Sequence, residues 1–264
     1  MFKIGLIGCG GIATALVETL KPYAPAVQIC GVLAQRSSAA KVSFLEHTVI
    51  AANVEELVQL APDLVVECAS HSAVREYGER ILESGIGLVI TSIGVLAEEP
   101  FRQALDEASK KGGARYYLTS GAIGGLDALR AARLGKLDRV HYRGIKPATS
   151  WAGLEQNRLK KIMSAAQPET IYSGNARSAA LDYPKNSNVA AAIALEGVGF
   201  ERTHVELIAD PKAQFNTHEI SFSGEDCEFH FSIIGRPSPQ NPRTSMLTAH
   251  AVASTVLEIW KERS

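Results

Sequence analysis

The segment Gly8-Cys9-Gly10-Gly11-Ile12-Ala13 fits the spacing G-x-G-x-x-A. Each small residue has a job in that pattern. Gly8 permits a tight turn, Gly10 lets backbone amides come close to a diphosphate, and Ala13 lets helix and strand pack closely. The diphosphate then lies at a helix N-terminus, where free N–H groups and the helix dipole favour an anion. The setting agrees: Phe2–Ile7 is an apolar run and Ala13–Leu20 has helical spacing. Spacing and setting together point to a dinucleotide. A ligand along this edge would also meet Gly11, Ile12, the end of the second strand at Gln35 and Arg36, and Ala69 beyond the third.

Cofactor choice is set near the end of that second strand. A site selective for NAD usually carries Asp or Glu there for the ribose hydroxyls. No acidic residue occurs from 19 to 45, and Gln35-Arg36-Ser37-Ser38 stands in its place. Arg36 is suited to stack on adenine or pair with a 2′-phosphate. The expectation is NADP or NAD, with NADP accepted.

Proton transfer needs a group that titrates near neutrality, and histidine is the usual one. There are seven. His218 lies in a candidate strand, and His71 follows the Leu64–Cys68 strand at the sheet edge where doubly wound folds bind ligands. Cysteines 9, 30, 68 and 227 form no CxxC pair and read as thiols of a reducing cytosol. His218 and His230 with Asp226 or Cys227 show no recurring ligand spacing, so no metal is expected. No Gly-x-Ser-x-Gly elbow or Cys–His nucleophile occurs.

These residues need elements to hold them. Residues 1–121 alternate apolar runs (Phe2–Ile7, Val27–Ala34, Leu64–Cys68, Leu88–Thr91, Arg115–Leu118) with helical stretches near 37–46, 53–60, 72–84 and 98–111. Strands apolar on both faces with helices between them predict a doubly wound parallel sheet. After residue 121 the strands Arg139–Ile145, His204–Ile208, His218–Phe222 and Cys227–Ile234 alternate as if one face were wet. Val189–Leu195 is an Ala-rich helix that Asn188 would cap. Thr244–Glu262 reads as a last helix returning to the first domain. The expected class is α/β: a Rossmann domain of 1–121 and 243–264, and a smaller α+β catalytic and dimerisation domain of 122–242.

Several motifs follow one another along the rest of the chain. They are Thr119-Ser120-Gly121-Ala122-Ile123-Gly124-Gly125-Leu126-Asp127, Tyr183-Pro184-Lys185-Asn186-Ser187-Asn188-Val189-Ala190-Ala191, Ala209-Asp210-Pro211, Asn216-Thr217-His218-Glu219-Ile220 and Asn241-Pro242-Arg243-Thr244-Ser245. With the glycine fingerprint, the chain closely resembles the L-aspartate dehydrogenase family along its whole length. The resemblance implies oxidation of L-aspartate with NAD or NADP to iminoaspartate. That imine hydrolyses to oxaloacetate and ammonia or feeds quinolinate in NAD biosynthesis. It also implies a homodimer, a catalytic His218, and cofactor contacts at Ala122 and Asn188. Two substrate carboxylates need cations or donors, for which Lys146, Lys185, Arg243 and Ser92 are candidates. Competing readings are a dihydrodipicolinate-reductase-like or homoserine-dehydrogenase-like oxidoreductase, and a non-catalytic NADP-sensing regulator.

Composition narrows the partners. The 264 residues carry 27 Lys+Arg against 28 Asp+Glu, a formal net charge of −1, with 46% apolar residues. That is too apolar for disorder, and it gives no global attraction to nucleic acid or an anionic membrane. Leu6-Ile7-Gly8-Cys9 imitates a lipoprotein cleavage site, but the apolar stretch before it is shorter than the roughly 7–15 residues of a signal core. A cytoplasmic enzyme for a small molecule is expected.

Overall fold

A computed structural model of the chain describes residues 1–35, 48–151, 154–238 and 241–263. The expected helix near 37–46 and the Arg36–Ser38 stretch lie outside the described residues, as do the side chains of 241–244. The chain forms two compact units, Met1–Gly121 with Thr248–Ser264, and Ala122–Leu247.

The first unit is built on six parallel strands: β1 (Phe2–Ile7), β2 (Val27–Leu33), β3 (Val49–Ala51), β4 (Leu64–Glu67), β5 (Gly87–Ile90) and β6 (Tyr116–Leu118). Their order is β3-β2-β1-β4-β5-β6. The chain winds outward from β1 to β3, then resumes at β4 on the other side of β1. That reversal opens a crevice beyond the carboxyl ends of β1 and β4, where such sheets take ligands. Ile4 and Leu6 are fully buried. Helix α1 (Gly11–Tyr23) covers them with Leu16 and Leu20, and Val252, Val256 and Ile259 of the last helix, Met246–Arg263, complete the same core. Local signals start two further helices. The Ser70 side chain accepts from the Ala73 amide to cap helix His71–Glu83, and Asn53 caps Val54–Gln59 through the Glu56 amide. Three-residue β3 is too short to show a period and was not anticipated.

The second unit has a five-stranded sheet in the order β11-β10-β7-β9-β8. Its strands are β7 (Leu137–Pro147), β8 (Glu169–Asn175), β9 (Thr203–Asp210), β10 (Asn216–Gly224) and β11 (Glu228–Gly235). Only β7 and β9 run parallel. Val140, Tyr142, Val205, Leu207, Ile220 and Phe222 form the buried face. His141, Arg143, His204, Glu206 and Glu219 occupy the other. Helices Ala176–Asp182 and Asn188–Glu196 pack on one another and on β9, their alanines allowing close approach.

The Pro-rich breaker stretch holds β12 (Pro237–Ser238) and β13 (Asn241–Ser245), which pair with each other. That hairpin carries the unit boundary to Leu247, five residues beyond the sequence-based expectation.

Candidate active site

The first unit presents a cradle. Gly8 has φ +87°, a left-handed conformation that disfavours any other residue. A Cβ added there would also sit 2.9 Å from the Ala69 Cβ and 3.0 Å from the Cys68 carbonyl. Gly8 therefore lets the β1 loop lie against the β4 loop. Gly10 differs: it is the exposed N-cap of α1, and a Cβ there would project into open space. The first turn of α1 carries no acidic side chain, and no side chain caps the helix. Unclaimed N–H groups beside an uncrowded glycine fit a diphosphate. Gly11 and Ile12 begin the helix, and Ala69 and Gln35 are exposed on the loops beyond β4 and β2.

Sequence reasoning missed the residue that organises this edge. Glu67, the last residue of β4, has no exposed surface. Five donors converge on it. Oε1 accepts from the Ala69 amide at 2.7 Å and the Ser92 hydroxyl at 2.9 Å. Oε2 accepts from the Thr91 and Ser92 amides at 3.1 and 2.9 Å and the Thr91 hydroxyl at 3.1 Å. A buried carboxylate is tolerable only when so satisfied. One side chain thus ties the loops beyond β4 and β5 together. The available signal was a carboxylate ending the apolar run Leu64-Val65-Val66. Ser92, a candidate substrate donor, has its hydroxyl proton committed to Glu67, so it offers a ligand only lone pairs.

The second unit holds the group suited to proton transfer. His218 is in β10, buried with 5% exposure. Its Nδ1 lies 2.7 Å from the hydroxyl of Tyr142, which has no exposed surface. The local geometry explains the pair. His218 sits opposite Gly144 of β7. A Cβ at 144 would lie 2.7 Å from the Tyr142 hydroxyl, so the glycine leaves room for the tyrosine to lean along its strand. Burial holds the Tyr142 phenol above its usual range, so it remains protonated.

Burial, with a smaller contribution from the Lys146 charge, lowers the His218 pKa to about 3, keeping the imidazole neutral. Lys146 is two residues beyond Gly144, on the same face of β7. Its Nζ donates to Asn186 Oδ1 at 2.6 Å, and burial lowers its pKa to about 8. Tyr142 and Asn186 were not anticipated. The signal for Tyr142 was a polar aromatic at an inward position with glycine two residues on.

Ala122 is buried and Lys185 is exposed. Asn188 is the first residue of its helix, and the cap position belongs to Ser187. The expected Asn188 N-cap is thus corrected: Ser187 precedes it, its buried hydroxyl donating to the Ala179 and Tyr183 carbonyls at 2.7 and 2.9 Å. His71 begins the helix after β4. Arg36 and the Arg243 side chain lie outside the described residues.

Comparison with known proteins follows the two units. Residues 127–259 match the family described as aspartate dehydrogenase, C-terminal. Residues 8–119 match the family described as homoserine dehydrogenase, NAD binding domain. An L-aspartate dehydrogenase of Ruegeria pomeroyi is 43% identical over 249 residues, covering 94% of this chain and 88% of that one. One from Cupriavidus necator is 38% identical over 253 residues, covering 96% and 95%. The crystal structure of an aspartate dehydrogenase from Thermotoga maritima superposes with a TM-score of 0.73 at 28% identity, covering 98% of this chain and 97% of that one.

Proposed function

The chain belongs to the aspartate dehydrogenase family, and on that premise we propose that it oxidises L-aspartate to iminoaspartate with NADP or NAD. The observation that carries the reading is the buried pair of His218 and Tyr142 with Lys146 on the same sheet face. A non-catalytic cofactor sensor has no need of a proton-transfer group of this kind.

The oxidation removes a hydride from Cα and a proton from the ammonium. The bound nicotinamide supplies the hydride acceptor, and Gly8, Gly10, Gly11 and Ile12 would hold its dinucleotide by the diphosphate. Gln35, Arg36, Ala69, Ala122 and Asn188 are proposed as further cofactor contacts. Neutral His218 takes the ammonium proton through Nε2, with Nδ1–H donating to the Tyr142 hydroxyl. The dianionic side of the substrate raises the basicity of this imidazole when it binds. Once that proton has passed to solvent, the same nitrogen takes a proton from the water that adds to the iminium carbon, and the adduct breaks down to oxaloacetate and ammonia. Where the imine is withdrawn intact, it serves quinolinate synthesis. Lys146, an ammonium below pH about 8, is the cation best placed to receive a carboxylate. Ser92, Lys185 and Arg243 are secondary candidates for that role.

The absence of an acidic residue from 19 to 45 supports acceptance of NADP. The protein acts as a cytoplasmic homodimer on this reading. Mixing it with L-aspartate and either cofactor at alkaline pH should raise absorbance at the reduced-nicotinamide band. No reduction with aspartate, and no oxidation with oxaloacetate plus ammonia, would overturn the proposal. A strong NAD preference in kcat/KM would overturn only the cofactor choice.

A further inference from the structure

The polar face of the second sheet carries a cluster that the dehydrogenase reading does not use. His141 of β7 and His204 of β9 are paired directly across the two parallel strands. Glu206 is two residues beyond His204, so it lies on the same face. The imidazole centroids are 4.9 Å apart. One ligand atom from each of the three side chains lies within 4.8 Å of the others.

Among the described residues, no hydrogen bond accounts for the placement of the His141 ring nitrogen Nε2. That nitrogen is enclosed by protein. It lies 3.4 Å from Glu206 Oε2, too poorly aimed to bond to it. A buried nitrogen without a partner is costly, and native structures rarely keep one without a reason. An imidazole binds a metal through the lone pair of its neutral form.

The geometry points to a binding site for one divalent transition-metal ion of the zinc class, held by His141, His204 and Glu206. Two imidazoles and one carboxylate are the borderline donor set that zinc, cobalt and nickel favour over calcium or magnesium. Bonds of about 2.0–2.2 Å to each ligand would draw the three atoms together by modest side-chain rotation. Water would complete the shell.

Arg143 is the natural occupant when no ion is bound. Its Nε donates to Glu206 Oε2 at 3.1 Å, and its Nη1 donates to Glu219 at 2.7 Å. The guanidinium neutralises the carboxylate that an ion would otherwise bind, so the two cations compete. An ion there would cross-link β7 to β9 one residue from Tyr142, which projects from the opposite face.

Titration of chelator-stripped protein with Zn2+ by calorimetry, and with Co2+ by visible absorption, tests the site. One equivalent should bind and saturate, with a Co2+ d–d band. His141→Ala and His204→Ala should each weaken binding by at least about tenfold. Arg143→Gln should tighten it by freeing Glu206. His230→Ala, removing another exposed imidazole of this unit, should leave affinity unchanged. Melting temperatures of the metal-free variants separate lost ligation from lost folding. Absence of saturable binding would overturn the proposal. So would an affinity indifferent to His141→Ala and His204→Ala in folded protein, or one equally sensitive to His230→Ala.

Discussion

Two buried polar side chains set the character of the two units. Glu67 has no exposed surface and accepts from five donors. Replacing it by Gln presents an amide N–H2 to groups that all donate. Each donor so stranded costs about 1–3 kcal/mol. Glu67→Gln should therefore lower stability by a few kcal/mol and weaken cofactor binding, since the loops at Ala69 and Ser92 lose their common anchor. Thermal melts with and without cofactor would check both effects.

His218 makes a pH prediction whose sign follows from burial. Its folded pKa of about 3 lies below the unfolded value of about 6.5. Between those values the unfolded chain binds a proton that the folded chain refuses. Stability is thus lost as pH falls from about 6.5 towards 3, amounting to about 2 kcal/mol at pH 5 from this residue alone. In His218→Gln the acid limb of a denaturant-melt series should flatten by that amount. An identical limb in both proteins would contradict the buried, neutral assignment.

At the scale of elements, β7 and β10 aim the buried pair of Tyr142 and His218. Tyr142 leans over Gly144, and the glycine is needed for its lack of a side chain, because its φ is not in the left-handed range. Gly144→Ala should push the Tyr142 hydroxyl away from His218 and lower kcat, with little change in the dissociation constant of the cofactor. Steady-state kinetics beside a cofactor titration reads the difference.

The same strands show what was legible in the sequence. The parallel sheet could be read because its strands are apolar runs bounded by glycines and capped helices, and the glycine fingerprint marked its ligand edge. Alternation gave β7, β9, β10 and β11 near their observed bounds. Edge strand β8 was not legible: it buries only Ile171, and a register shift between Thr170 and Tyr172 breaks its period. The helices Leu126–Ala132, Gln156–Ala165 and Ala176–Asp182 are short or mixed in pattern and also escaped. Within the sites, His218 was found through resemblance, whereas Tyr142, Glu67 and the His141–His204–Glu206 cluster arise from contacts across strands. Such contacts depend on which strands become neighbours and in what register, and residues far apart in sequence decide that together.

At the scale of the molecule, the chain leaves its first unit at Gly121 and re-enters it at Thr248. The last helix gives Val252, Val256 and Ile259 to the core under α1 and β1. A truncation of that helix therefore acts on a sheet whose strands were completed far earlier in sequence. Ile259→Ala, at 4% exposure, should cost about 2–4 kcal/mol by leaving a cavity. The loss should show in melting of the cofactor-binding unit and be partly recovered by saturating cofactor, which binds only the folded form.

The central claim is that this chain oxidises L-aspartate by proton transfer through His218, oriented by Tyr142. It is tested most directly by kcat for aspartate-dependent cofactor reduction in His218→Ala and Tyr142→Phe, beside their cofactor dissociation constants. In His218→Ala, kcat should fall about 10²–10⁴-fold. A smaller fall is predicted for Tyr142→Phe, with cofactor affinity close to that of the unaltered protein in both. An unchanged kcat in His218→Ala would contradict it.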